Sequence, residues 1–153
     1  MANNLVRTVL LDTNVLIDYI DISRPEHANA VAAVHLAASM GIRMIAPTGS
    51  YKDAYYILRR VLKSEPTARK LISHLIDADY IKPVDLKARY LRPALASNEP
   101  DFEDGLIRQT AESEAADLIL TRDMNAFDTS PVRPMSPLAF TKEFVNLSTR
   151  NGL

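Results

Sequence analysis

Four aspartates stand where a carboxylate is costly or conspicuous: Asp12, Asp53, Asp104 and Asp123. Asp12 interrupts the apolar run in VLLDTNVLIDYI, which extends from Val9 to Ile20. A buried charge there needs a basic side chain or a metal ion, because an unpaired one is among the most expensive things a fold can hold. Asp123 closes ADLILTRD in the same way. If the four meet, mutual repulsion raises their pKa values and couples their titrations, and a divalent cation relieves it. Oxygen donors with no clustered histidine or cysteine suit Mg²⁺ or Mn²⁺ rather than zinc.

Each acid also has a plainer reading. Asp12 could cap a helix or join an ion pair, and Asp53 could pair with Arg60 or face water. Asp101 and Asp104 have the spacing of a helix cap and a first-turn charge, and Asp123 could belong to a turn. Glu103 reads mainly as first-turn helix chemistry. His27, His35 and His74 are scattered over predicted helices, and Asp18, Asp21, Asp77 and Asp79 look like solvated helix-end charges. None of the four glycines forms a phosphate-cradling loop with a lysine, which excludes a P-loop nucleotide site.

The acids must be positioned by alternating strands and helices. Residues 7–11 read as a strand and 14–20 as a short helix that Thr13 can cap. SRPEHANAVAAVHLAASMG has helical spacing and stops at Gly41, and IRMIAP is a second strand ended by Pro47. TGSYKDAYYILRRVLK puts Tyr51, Ala54, Tyr55, Leu58 and Leu62 on one helical stripe, with Asp53 beside it and Arg59, Arg60 and Lys63 outside. Further helices are expected at 67–78, 86–96 and 103–116, with strands at 80–83 and over ADLILTRD. Residues 131–135 read as a short edge strand before a terminal helix. This alternation predicts an α/β fold whose mostly parallel sheet of four to five strands is covered on both faces. Ligands of such sheets bind beyond the carboxyl ends of the strands, where Asp12 and Asp123 fall.

The 153 residues suit one domain, spanning 1–153, with enough chain to bury a core. The absence of cysteine removes disulfides and thiolate chemistry and fits a cytoplasmic protein. Asp12 and Asp18 interrupt the first apolar segment, so neither a signal peptide nor a membrane span is expected. The net charge of −1, from 18 basic and 19 acidic residues, advertises no global attraction for nucleic acid. A balanced total still accommodates an acidic pocket with basic rims, as a metal-dependent enzyme acting on a polyanion requires.

Three stretches together resemble PIN-domain ribonucleases of the VapC-like kind found in type II toxin-antitoxin pairs. LLDTNVLIDYI resembles that family's opening strand and metal aspartate. DFEDGLIRQTAESEAADLILTRDMNAFDTS resembles its third and fourth acidic motifs, and VRPMSPLAF its closing strand and helix. The resemblance covers nearly the whole chain, and DFED followed after one helix by LILTRDMNAF is its most specific part. It implies a three-layer α/β/α sandwich and Mg²⁺- or Mn²⁺-dependent hydrolysis of RNA phosphodiester bonds, leaving 5′-phosphate and 3′-hydroxyl ends. Residue by residue, Asp12, Asp104 and Asp123 match the metal-binding acids, and Asn14 and Thr121 match supporting polar residues. Asp53 matches a second acidic position where many relatives carry glutamate, so its shorter side chain leaves direct ligation open. Arg59, Arg60 and Lys63 are candidates for guiding the RNA backbone. The implied partners are RNA, a cognate antitoxin and a second copy of the chain.

Three other readings compete. A haloacid-dehalogenase-type phosphatase needs a second aspartate where this chain has Asn14, and a phospho-receiver needs an acidic pair and a lysine that are not in place. A catalytically weak or inactive PIN-like module that binds RNA or protein is the remaining alternative.

Overall fold

The computed structural model describes residues 5–150, with side chains through residue 147. Five strands form one all-parallel sheet in the order β3-β2-β1-β4-β5. They are β1 (Thr8–Leu11), β2 (Arg43–Pro47), β3 (Ile81–Val84), β4 (Leu118–Leu120) and β5 (Arg133–Met135). β1 lies at the centre and is buried along its whole length, which is why its sequence is a continuous apolar run rather than an alternating one. Its register pairs Leu10 with Ile45 on one side and Leu11 with Leu120 on the other.

Seven helices cover the sheet: α1 (Thr13–Ile20), α2 (His27–Ser39), α3 (Thr48–Leu62), α4 (Glu65–Asp77), α5 (Leu91–Leu95), α6 (Phe102–Ser113) and α7 (Pro137–Arg150). Alternate residues of β1 face opposite layers. Val9 and Leu11 join Val15, Leu16, Val34 and Phe140 in one core, whereas Leu10 joins Ile107, Ala111 and Phe127 in another. A third cluster, Ile17, Ala54, Leu58 and Ala68, seals α1 against α3 and α4. Each fully buried large apolar side chain contributes about 1.5–3 kcal/mol. The expected α/β sandwich is therefore observed, with five strands and every pairing parallel.

Boundaries differ in informative ways. α1 begins at Thr13, so Asp12 and not Thr13 is its cap, in extended backbone at φ −66° and ψ 154°. The segment expected to be helical over 86–96 splits into a 3₁₀ turn (Ala88–Tyr90) and the single-turn α5, whose interior carries Pro93. Gly41, at φ +68°, occupies the left-handed position that ends the α2 segment, as the sequence suggests.

The strand order creates the location for chemistry. From β1 the chain moves outward through β2 and β3, then returns to the other side of β1 for β4. The crevice beyond the carboxyl ends of β1 and β4 is thus a topological switch point, the usual ligand position in such sheets. Asp12 directly follows β1, and its N–H donates to the Leu120 carbonyl of β4 at 2.9 Å.

Candidate active site

Asp12 is only 6 % exposed. Its Oδ1 accepts from the Thr13 N–H at 2.7 Å and its Oδ2 from the Thr121 hydroxyl at 2.9 Å. Burial raises its pKa to about 6 despite those two donors, and the charges of Glu103 and Asp123 push the same way. Among the described residues no arginine or lysine pairs with it. The question raised by a carboxylate at the tip of β1 is therefore not answered by a basic side chain.

Asp104 stands in the first turn of α6. Asp101 caps that helix, its Oδ1 accepting from the Asp104 N–H at 2.9 Å, so the capping arrangement and the acidic site coexist. Partial burial is the main cause that raises the Asp104 carboxyl to about 7, followed by the charges of Asp101, Asp12, Glu103 and Asp123. Asp123 is exposed just after β4 and starts a short 3₁₀ turn, its Oδ1 accepting from Ala126 N–H at 3.2 Å. Its own N–H donates to the Thr121 hydroxyl at 3.0 Å. Thr121 thus links two of the acids through one oxygen.

Asp53 lies one turn into α3, half-buried, and Lys52 approaches its Oδ1 at 2.8 Å. It reaches the other acids through Glu103, whose pKa is raised by burial and by the charges of Asp53 and Asp101. Glu103 contributes more than first-turn helix chemistry. The Thr13 hydroxyl lies 3.1 Å from its Oε1 and 2.9 Å from Ser50 Oγ, which ties the starts of α1, α3 and α6 together. With a single proton, Thr13 can donate to the carboxylate only while Ser50 turns its own hydroxyl toward it. Sequence reasoning did not single out Ser50, Thr13 as a tether or Lys52. The signal for Glu103, an acid adjacent to Asp104, was visible but not its direction.

The remaining candidates are placed differently. Asn14 is exposed in the first turn of α1. Arg59 and Arg60 are exposed in the last turn of α3, about 10 Å beyond Asp53 along the helix axis, and Lys63 is the left-handed residue that ends it. Asp18 and Asp21 correct the expectation of solvated helix-end charges. Both are buried, at 1 % and 5 % exposure, because α1 is short and enclosed by α2, α3 and the sheet.

Among the described residues no three acids converge closely enough to hold an ion as they stand. They nevertheless feel one another's charge, which adds to the burial that chiefly raises the Asp12 and Asp104 carboxyls. The donors are all oxygens, and their uncompensated negative charge fits a hard divalent cation of the Mg²⁺ or Mn²⁺ class.

A family model described as a PIN domain matches residues 8–125. No curated protein matches the sequence significantly. Among solved structures, the chain resembles VapC20 of Mycobacterium tuberculosis, a sarcin-ricin loop cleaving toxin, with a TM-score of 0.65 at 13 % identity over 81 % of this chain and 95 % of that one. It also resembles a chain in the structure of VapBC2 from Rickettsia felis bound to a promoter DNA fragment, with a TM-score of 0.64 at 15 % identity over 84 % and 98 % of the two chains. A toxin-antitoxin complex from Klebsiella pneumoniae gives a TM-score of 0.59 at 17 % identity, over 84 % of this chain and 97 % of that one. At such identities these likenesses establish the fold.

Proposed function

The chain belongs to the PIN-domain family, and from that premise we propose that it is a divalent-metal-dependent endoribonuclease acting as the toxin of a toxin-antitoxin pair. The observation that carries the reading is Asp12: a buried carboxylate at the sheet's switch point, acted on by the charges of Glu103 and Asp123 and unmatched by a basic side chain. Asp12, Asp104 and Asp123 would hold Mg²⁺ or Mn²⁺. When bound, the ion would polarise a phosphate oxygen, lower the pKa of water and neutralise charge developing in an in-line displacement.

The chain's own residues prepare that chemistry. Thr121 and the Thr13 N–H aim the two oxygens of Asp12, and Thr121 also holds the backbone of Asp123. Glu103 and Asp53 enlarge the acidic field, while Lys52 beside Asp53 supplies a positive charge at its rim. Asp12 and Asp104 must lose protons to serve as ligands, so metal affinity should rise with pH through the neutral range. Arg59 and Arg60 stand about 10 Å beyond Asp53 along the α3 axis and would guide RNA backbone that lies away from the reacting phosphate.

Structural relatives occur in toxin-antitoxin assemblies, which supports a cognate antitoxin as a partner; the homodimer and the cytoplasmic location belong to the same proposal and rest on the family resemblance of the sequence. No described helix is long and apolar enough to cross a membrane. The decisive assay incubates purified protein with RNA after chelation and again with added Mg²⁺ or Mn²⁺, and identifies the ends produced. Metal-dependent internal cleavage with 5′-phosphate ends is expected. Binding without cleavage would instead support the non-cleaving module, which the loose spacing of the acids keeps in play.

A further inference from the structure

We infer that Asp18 and Arg122 are positioning residues for Asp123, an inference that rests on the metal-nuclease reading of the acidic site. The Asp18 side chain is 1 % exposed and meets two arginines. Its Oδ1 accepts from Arg24 Nε at 2.9 Å, while Arg122 Nε lies 2.8 Å from its Oδ2 as a close charge contact rather than an aligned hydrogen bond. A buried ion pair stabilises a fold little compared with an apolar residue of similar size, so packing alone does not explain an aspartate among Leu16 and Ile17. What the pair does is attach a loop to a helix.

The loop is the one that carries Asp123. Thr121, Arg122 and Asp123 are consecutive, and the first two hold opposite ends of α1. Thr121 donates to Asp12 at the N-cap, and Arg122 reaches Asp18 about 9 Å further along the axis. Thr121 is held on both sides, by Asp12 and, through its N–H, by the Met135 carbonyl at 3.0 Å, and it holds the Asp123 N–H. All of these act at one residue; Arg122 adds a second anchored residue, which fixes the direction in which the backbone leaves the strand. Asp123 needs this, because it is exposed and its own side-chain oxygen holds only the following turn. Arg24 provides an internal control. It binds the same carboxylate but belongs to the connection between α1 and α2, remote in sequence from any of the four acids.

The test compares Mn²⁺ affinity, by equilibrium dialysis and by the Mn²⁺-dependent rise in melting temperature, in the intact chain, Arg122→Gln, Arg122→Lys and Arg24→Gln. Arg122→Gln should weaken Mn²⁺ binding about tenfold, while Arg122→Lys and Arg24→Gln should stay within about twofold of the parent. Arg24→Gln should still lower the melting temperature, since it too uncovers Asp18. An equal loss of affinity in both glutamine variants, or none in Arg122→Gln, would overturn the inference. Should Arg122→Gln fail to fold, Asp18→Asn combined with Arg122→Gln removes the buried charge together with its partner. The same affinity loss then supports the inference, and parental affinity overturns it. Failure of the nuclease reading looks different: the parent protein itself would neither bind Mn²⁺ nor cleave RNA, and both ideas would fall.

Discussion

Thr121 donates a 2.9 Å hydrogen bond to Asp12 across 109 positions of the chain, joining the ends of the two strands between which the sheet reverses its order. The bond opposes the rise in the Asp12 pKa that burial causes. Thr121→Val should therefore cost about 1–3 kcal/mol of stability, because it leaves a buried carboxylate oxygen without its donor. Thr121→Ser should recover most of that loss. Denaturant titration of both variants, run beside RNA cleavage, checks the pair.

Asp104→Asn is the sharpest test of the proposed metal site, because among the described residues the Asp104 carboxylate caps no helix and accepts no hydrogen bond that the variant would break. The metal-free protein should melt higher, since the variant removes a carboxylate penalised first by partial burial and then by the charges of the neighbouring acids. Its gain in melting temperature with Mg²⁺ should shrink, and cleavage should drop by about a hundredfold or more, as the loss of several kcal/mol of charge stabilisation implies. A variant that melts lower, keeps its metal response and cleaves RNA would remove Asp104 from the site.

The same variant carries a pH signature. Asp104 titrates near 7 in the folded protein and near its ordinary 3.8 when unfolded, so the folded state holds a proton that the unfolded state releases. Its contribution to stability is full below about pH 4 and is lost as pH climbs through about 7. The stabilisation of metal-free Asp104→Asn over the parent should accordingly grow between those limits and level off above them. Melting curves in chelator across that range read the difference directly, and an advantage confined to low pH would contradict it.

Gly105 follows Asp104, and a Cβ there would lie 2.7 Å from the Ala94 carbonyl and 2.9 Å from Ser97 Oγ. Gly105→Ala should push α5 away from α6 and cost about 1–3 kcal/mol, which outweighs the gain in helix propensity of about 1 kcal/mol. Because α6 also carries Glu103 and Asp104, Mn²⁺ affinity should fall as well. Chemical denaturation and a metal titration measure the two effects.

Charge reversal of Arg59 and Arg60 to glutamate should leave the fold intact, since both are exposed at the end of α3. RNA binding should weaken and lose part of its salt dependence while the maximal cleavage rate is preserved. Unchanged affinity and salt slope would assign the two arginines to solvent or to a protein partner.

Local chemistry determined a good deal by sequence alone. The apolar run of β1, its termination at Asp12, the capping spacing of Asp101 and Asp104 and the stop at Gly41 each depend on neighbours a few residues away, so period and residue type suffice to read them. Tertiary structure decided the rest. Asp18 has the same local signature as an exposed helix-end charge, and only the enclosure of α1 by α2, α3 and the sheet buries it and draws Arg122 onto it. Glu103 and Asp104 are adjacent in one helical turn, and nothing in their spacing tells that Thr13 would meet the first while the second would feel the charge of both strand-end aspartates. Arg59 and Arg60 share α3 with Asp53, yet the helix runs away from the acids and takes them with it. Strand order is the common reason: side-chain periodicity shows which residues are apolar and on what face, but the return of β4 to the far side of β1 is a long-range pairing, and it alone brings Asp12 and Asp123 to one crevice.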